Sequence, residues 1–223
     1  MKVSLSLEKS TSEDVVIMVD VLRASTTIIA ALNNFDQIIP AKNIEDAILL
    51  AKKHDATLAG ERNGAHIEGF DAGNSPVEIK KIYGKVLVLT TSNGTRILEE
   101  IRSKTLIGSF VNAEAVAEAA RELADHHIEI VMAGVRGKFV IEDFLGAGEI
   151  ISHLKDCELD EWAFAAYMAS YDDKMVNNAV WNSNTAFRLK KLGFSEDIRF
   201  SLRRNIYDLV PIYENREIKK LIQ

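Results

Sequence analysis

The chain has 223 residues, 47% apolar and 27% charged, with 27 Lys and Arg against 33 Asp and Glu for a formal net charge of −6. These fractions are ordinary for a folded globular protein and exclude a disordered chain. The acidic balance argues against a nucleic-acid partner, which would need a broad basic face. One cysteine, Cys157, excludes an internal disulfide framework and fits a reducing compartment, so a cytoplasmic protein is expected. The apolar runs Val15–Val19 and Val86–Leu89 are strand length, far below the roughly 20 residues that span a bilayer, so no membrane partner is expected.

In chain order, Lys2–Leu7 alternates polar and apolar residues as a half-exposed strand does. Val15–Val19 is continuously apolar, as in a strand covered on both faces. Thr26–Leu32 reads as a helix, Gln37–Ile39 as a strand, and Ile44–Lys53 as a helix capped by Asn43. Strands at Thr57–Ala59 and Lys85–Thr90 precede a helix at Thr95–Arg102. A strand at Thr105–Gly108, a helix at Ala113–Ala124 behind Asn112, a strand at Glu129–Ala133 and a helix at about Asp143–Leu154 complete the alternation. His126-His127 falls late in a helix by this reading, solvent-exposed and unable to face one metal. Glu161–Leu192 looks helical and stops at Leu192-Gly193-Phe194, before an irregular tail around Val210-Pro211-Ile212-Tyr213.

This pattern predicts an α/β fold of three layers, a mostly parallel sheet flanked by helices, with a more helical C-terminal third. A single domain over residues 1–223 is expected, with the sheet core and its polar loops in 1–155 and a helical appendage or second lobe in 156–223.

Polar, glycine-rich segments follow four of the strands: Asp20–Thr27, Gly60–Gly64, Thr90–Thr95 and Gly134–Lys138. Ligands of open α/β sheets bind at carboxyl strand ends against helix N-termini, whose free N–H groups suit anions. All four segments are expected along one edge of the sheet. Each taken alone is ordinary strand-to-helix turn chemistry. Asp20, at the end of a buried strand, is a metal ligand, a nucleophile or the partner of Arg23. Arg23 and Arg62 either grip a phosphate or sulfonate in a fork or sit in structural ion pairs. Ser92-Asn93-Gly94-Thr95 has the make-up of a phosphate cradle or of a turn with its cap. Glu142 and Asp143 suit either a helix N-terminus or a metal, and Gly146-Ala147-Gly148 suits close helix packing. The long loop Ile67–Pro76 carries no strand or helix period and is expected to fold over the site.

Several chemistries are absent from the sequence. There is no P-loop, dinucleotide fingerprint, H-E-x-x-H, C-x-x-C or G-x-S-x-G. What remains is carboxylate, arginine, hydroxyl and amide, a set that suits a hard cation such as Mg²⁺ and an anionic substrate.

The same blocks resemble the 2-phosphosulfolactate phosphatase (ComB) family. They are Asp20-Val-Leu-Arg-Ala-Ser-Thr-Thr27, Gly60-Glu-Arg-Asn-Gly64 with Gly69-Phe-Asp-Ala-Gly-Asn-Ser-Pro76, Thr90-Thr-Ser-Asn-Gly-Thr-Arg96, and Ala133-Gly134 with Ile141-Glu-Asp143 and Ala147-Gly148. Gly146 and Asn205 depart from the family pattern, which commonly has Cys and Asp there. The resemblance implies a Mg²⁺-dependent phosphatase that hydrolyses 2-phospho-3-sulfolactate on the route to coenzyme M. The expected site then has Asp20, Glu61 and Asp143 or Glu142 as carboxylates for Mg²⁺, and Arg23 or Arg62 with Asn93 to hold the phosphate or the sulfonate. Ser25, Thr26, Asn63, Asn74, Ser75, Ser92, Gly94 and Thr95 are expected around the substrate. Attack comes either from water or from a carboxylate such as Asp20 through a phospho-enzyme. The competing expectation is a non-catalytic α/β module that binds a small phosphorylated metabolite. A homo-oligomer is compatible with either.

Overall fold

The computed structural model describes residues 1–222, the side chains of Arg96, Glu99 and Glu100 apart. Its strands are β1 (Lys2–Leu7), β2 (Val15–Val19), β3 (Gln37–Ala41), β4 (Thr57–Arg62), β5 (Ala65–His66), β6 (Val86–Thr90), β7 (Lys104–Gly108), β8 (His127–Met132), β9 (Glu158–Leu159), β10 (Pro211–Glu214) and β11 (Glu217–Lys220). The helices are α1 (Ala24–Ala31), α2 (Ile44–His54), α3 (Pro76–Ile79), α4 (Gly94–Glu100), α5 (Ala113–Leu123), α6 (Ile141–Ser152), α7 (Glu161–Ala169), α8 (Asp173–Trp181), α9 (Asn184–Lys191) and α10 (Ser195–Ser201). Among the described residues, no helix is long and apolar enough to cross a membrane.

The strands form one mostly parallel sheet in the order β5-β4-β6-β3-β11-β10-β7-β2-β8-β1-β9. Two parallel groups, β4-β6-β3 and β7-β2-β8-β1-β9, are joined by the β10–β11 hairpin. Three successive antiparallel pairings, β3 with β11, β11 with β10 and β10 with β7, reverse the chain sense from one group to the other. The tail expected to be irregular is this hairpin. Its Asn215 and Arg216 both have positive φ, 51° and 64°, as a two-residue primed turn requires.

Burial explains how the two groups sit. β2 is buried along its whole length. Val15, Ile17 and Val19 face one core with α5, α6 and α7, while Val16 and Met18 face a second. That second core also takes Leu87 and Leu89 of β6, Ile28 and Leu32 of α1, and Ile97 and Leu98 of α4. The sheet thus curls, and α1 lies between its two halves with all eight residues buried. Its polar residues Ser25, Thr26 and Thr27 are tolerated there because each is hydrogen-bonded. On its outer face the smaller half carries α2, whose Ala47 and Ala51 pack on Ile39 and Val88. Each half therefore has helices on both faces, and the central helical layer serves both.

Gly146 and Gly148 work as close-packing positions. A Cβ on Gly146 would lie 2.5 Å from Val21 Cγ2, and one on Gly148 would lie 2.2 Å from the Ala166 carbonyl of α7. Asn205 turns the chain at φ 48° and accepts a hydrogen bond from the Glu114 amide. The two histidines are not on a helix: His127 opens β8 and bonds Ser4 Oγ at 2.7 Å, while His126 lies just ahead of it, exposed. The preceding helix ends at Leu123, and Asp14 accepts the amides of Asp125, His126 and His127 there.

Candidate active site

The polar ends of β2, β4, β6 and β8 do not line one edge of a parallel sheet. They meet across a cleft between the two halves, which the reversal in the sheet and its curl bring face to face. The cleft is lined by Asp20, Arg23, Glu61, Asn63, Asn74, Ser92 and Asn93 from the expected set. Arg136 of the β8–α6 turn and Thr185, Arg188 and Leu189 of α9 also line it.

Asp20 leaves β2 at the floor. Its Oδ1 accepts the Ala24 amide at 3.2 Å, and its carbonyl accepts the Ser25 amide, so the start of α1 is filled by its own chain. Among the described residues its Oδ2 makes no hydrogen bond, and it lies 3.1 Å from where a Gly94 Cβ would stand. Glu61 has both oxygens engaged, Oε2 by the Gly64 amide at 2.6 Å and Oε1 by the Ser92 amide at 2.7 Å. Asp143 is likewise committed, to the amides of Val21 at 2.8 Å and Gly134 at 3.0 Å. Glu142 lies beside the hydroxyls of Thr185 and Ser183 and feels the charge of Arg188, all of which favour its ionised form against burial. Among the described residues, no three His, Cys, Asp or Glu side chains are arranged to hold one metal ion. Of the four expected carboxylate ligands, Glu61 and Asp143 thus have both oxygens taken by amides, while Asp20 keeps one that no described residue bonds.

The carboxylates still act on each other. Burial, then the charges of Glu61 and Glu142, push the Asp20 carboxyl up to about 7 against the pull of the Ala24 amide and Arg23. Burial, then Asp20 and Glu142, raise Asp143 well above the carboxylate range. Burial also raises Glu142. A dry acidic floor of this kind favours a cation.

The cleft holds one further unengaged oxygen. Asn74 is buried, and its Oδ1 has no hydrogen-bond partner among the described residues. A buried acceptor without a partner costs on the order of 1–3 kcal/mol, which a ligand at that point would relieve. The loop that carries Asn74 packs beside β4 instead of folding over the site: Ala72 bridges Ala59, Asp71 bonds both backbone groups of Leu58, and Phe70 is buried against α2 and Val88.

Other expected site residues serve the scaffold. Arg23 pairs with Asp197 of α10 at 2.7 Å, not with Asp20, and donates to the Gly64 carbonyl at 2.7 Å with its guanidinium over Phe194. Ser75 donates to the same Asp197 at 2.6 Å and caps α3. Arg62 does not line the cleft; it bonds the Glu61 carbonyl and Thr90 Oγ1. Ser25 and Thr26 are fully buried, holding the Asp20 amide and the Val21 carbonyl in the strand-to-helix turn. Thr95 is buried and bonded to Thr91, and Gly94 provides close approach to α1. Of the amides that a phosphate cradle would offer, that of Ser92 is taken by Glu61 and that of Thr95 by Thr91 Oγ1.

Two tight turns flank the mouth. Asn63-Gly64, at φ 55° and 88°, closes the β4–β5 hairpin, and Arg136-Gly137, at 52° and 78°, closes the bridge between Val135 and Lys138. Arg136 Nη2 donates to Asn63 Oδ1 at 2.8 Å, which ties the turns together. Asn-Gly between alternating residues is a strong hairpin signal, so the first turn was visible in the sequence. Thr185 and Arg188 carry no local signal; α9 reaches the cleft because Leu189 and Leu192 pack on Gly64.

An α/β fold with an acidic floor and basic side chains at the mouth defines an enzyme cleft for a small anionic compound. Known sequences narrow the class. The 2-phosphosulpholactate phosphatase family model matches residues 2–216. The chain is 50% identical over 219 residues to the 2-phosphosulfolactate phosphatase of Methanothermobacter thermautotrophicus, covering 98% of this chain and 95% of that one. It is 38% identical over 216 residues to the 2-phosphosulfolactate phosphatase of Methanocaldococcus jannaschii, covering 92% of each. It is 42% identical over 205 residues to a probable 2-phosphosulfolactate phosphatase of Thermotoga maritima, covering 89% and 88%. The chain belongs to the 2-phosphosulfolactate phosphatase family and is by class a phosphoric monoester hydrolase. That sets aside the binding-only module.

Proposed function

We propose that the chain hydrolyses 2-phospho-3-sulfolactate to 3-sulfolactate and phosphate, with Mg²⁺, in the cytoplasm and on a route to coenzyme M. The substrate is taken from the names of the relatives. The observation that carries the reading here is the buried Asn74 Oδ1 without a partner and, beside it in the cleft lining, Asp20 Oδ2, which makes no hydrogen bond among the described residues.

This donor set fits Mg²⁺, which is held through one or two carboxylates, keeps several waters and takes substrate phosphate as a further ligand. Asp20 and Asn74 would hold it, while Glu61 contributes negative charge with both of its oxygens held by amides. Bound there, the ion would polarise the phosphoryl oxygens and neutralise charge in the transition state. Ser92 and Asn93 face the cleft and orient the phosphoryl group through their side chains. Glu61, clamping the Gly64 and Ser92 amides, is a positioning residue: it fixes one mouth turn against the segment that carries Ser92. Hydrolysis of a phosphate monoester requires a barrier reduction of roughly 20 kcal/mol or more, and positioning with charge neutralisation is its main source.

Phosphate release from 2-phospho-3-sulfolactate tests this directly. Turnover is expected with MgCl₂, lost in EDTA and restored by Mg²⁺. Turnover that survives EDTA removes the metal, and no release under any condition removes the substrate. Asn74→Ala should raise the Mg²⁺ concentration for half-maximal rate by about tenfold, the effect usual for a lost metal-supporting group.

A further inference from the structure

The cleft lined by Asp20, Glu61, Arg136 and Arg188 has a free volume of about 50 Å³. At roughly 10–15 Å³ per water, that is room for an ion and a few waters, not for a three-carbon acid with three anionic groups. An adjoining compartment of about 300 Å³ shares Asn63, Val135, Arg136 and Arg188 with it and adds Lys138. Three of its five lining residues are cationic. Among the described residues, none of the three forms an ion pair. Arg23, by contrast, is neutralised by Asp197.

Arg136 is also held at a backbone cost. It stands at φ 52°, the left-handed region that Asn, Asp and Gly fill far more readily than Arg. The turn is pinned by the two hydrogen bonds between Val135 and Lys138, and Glu8 Oε1 accepts the Gly137 amide at 2.7 Å. Asn63 then sets the guanidinium at the mouth. As at Asn215-Arg216, the positive φ is that of a two-residue primed turn, and here the turn fixes where the Arg136 side chain leaves the backbone beside the cleft.

We infer that Arg136, Arg188 and Lys138 form a second anion subsite that binds the sulfonate of the substrate and selects for it against phosphomonoesters lacking that group. The inference rests on the phosphatase reading and deepens it. The phosphoryl group enters the narrow acidic end with its cation, and the sulfonate stays in the wider basic end. Arg136 and Arg188 present planar forks to the tetrahedral anion, and Lys138 adds a point charge. The three approach from two elements, the β8–α6 turn and α9, so the C-terminal third supplies part of the recognition.

The test compares 2-phospho-3-sulfolactate with 2-phospholactate, which carries a methyl group in place of the sulfonate-bearing carbon. Wild type should prefer the sulfonated ester by about a hundredfold in kcat/KM, the scale of two charge-assisted contacts. Arg136→Gln and Arg188→Gln should each reduce that preference about tenfold, the double variant should bring it near unity, and Arg136→Lys should retain part of it. Calorimetric binding of 3-sulfolactate gives a second readout, expected in wild type and lost in the double variant, whose circular dichroism should match wild type. Equal use of both esters by wild type, or an undiminished preference in the double variant, overturns the subsite and leaves the phosphatase reading intact. If wild type releases phosphate from neither ester, the phosphatase reading fails; sulfolactate binding that depends on the arginines then still supports the subsite, and its absence overturns it.

Discussion

The floor and the mouth of the cleft both carry charge, but they answer to different partners. At the floor, the carboxylates of Glu61 and Asp143 are closed by backbone amides and Arg23 is closed by Asp197. At the mouth, Arg136, Lys138 and Arg188 stand without ion pairs among the described residues. A buried charge is tolerated only when its partners are built in, so most of the floor is spoken for before any ligand arrives. An exposed charge beside a cavity keeps its capacity for what enters. The exceptions at the floor, Asp20 Oδ2 and Asn74 Oδ1, are for that reason the atoms expected to meet a ligand.

The contrast can be broken at several points. Asp20→Asn has the largest expected effect on turnover, a loss of at least a thousandfold in phosphate release. In EDTA the same variant should melt several degrees above wild type, because it removes one charge from a buried like-charged cluster. Mg²⁺ should raise the melting temperature of wild type and not of the variant. A destabilised Asp20→Asn would show that the floor is not strained by its own charge.

Asp197→Ala comes next, on stability. It strands Arg23, which is 2% exposed, and should cost about 3–5 kcal/mol in urea unfolding. A cost near that of a surface pair would mean that Arg23 is free for ligand after all. Gly94→Ala sharpens the geometry: the new Cβ would lie 2.8 Å from Ala24 Cβ and 3.1 Å from Asp20 Oδ2. It should cost about 1–3 kcal/mol, the usual range for overpacking, and lower kcat more than it raises KM.

The smallest effect lies far from the cleft. Burial opposes charge on Asp14, but the amides of His126, His127 and Asp125 hold its carboxyl below the ordinary value of 3.8. A lowered carboxyl stabilises the fold above the unfolded pKa and loses that contribution as pH falls through the folded one. Asp14→Asn should therefore cost about 1 kcal/mol at neutral pH, and the difference from wild type should shrink below pH 3.8 and vanish in stronger acid.

Much of the architecture was legible because local periodicity carries it. The continuous apolar run at Val15–Val19 marked a strand covered on both faces, and Asn43 marked the start of α2, whose Asp46 amide it caps. The hairpin at Pro211–Lys220 was not legible, because four-residue strands around Asn215-Arg216 have little pattern and their partners lie more than 100 residues away. That one omission hid the reversal between the two halves and turned a cleft into a presumed edge. At the site, Asp20, Glu61 and Asn93 stood in polar segments after strands and Asn74 in the long loop, and all four line the cleft. Ser25, Thr26, Ser75 and Thr95 stood in the same segments but point into the scaffold, a distinction that residue type does not encode. Arg188 on α9 was beyond sequence reasoning, since only the packing of Leu189 and Leu192 on Gly64 brings it to the mouth.

The joining hairpin also orders events in time. β10 and β11 follow every other described element along the chain, yet they are the only strands that bridge the two parallel groups. Either group can pair its own strands as it leaves the ribosome, but the sheet is completed only when residues 211–220 insert between Ile38 and Leu106. Non-local closures of this kind are slow steps in folding. A nascent chain would thus hold both sets of site residues, on separately formed halves, before it holds a site. Activity should appear with the hairpin and not before it.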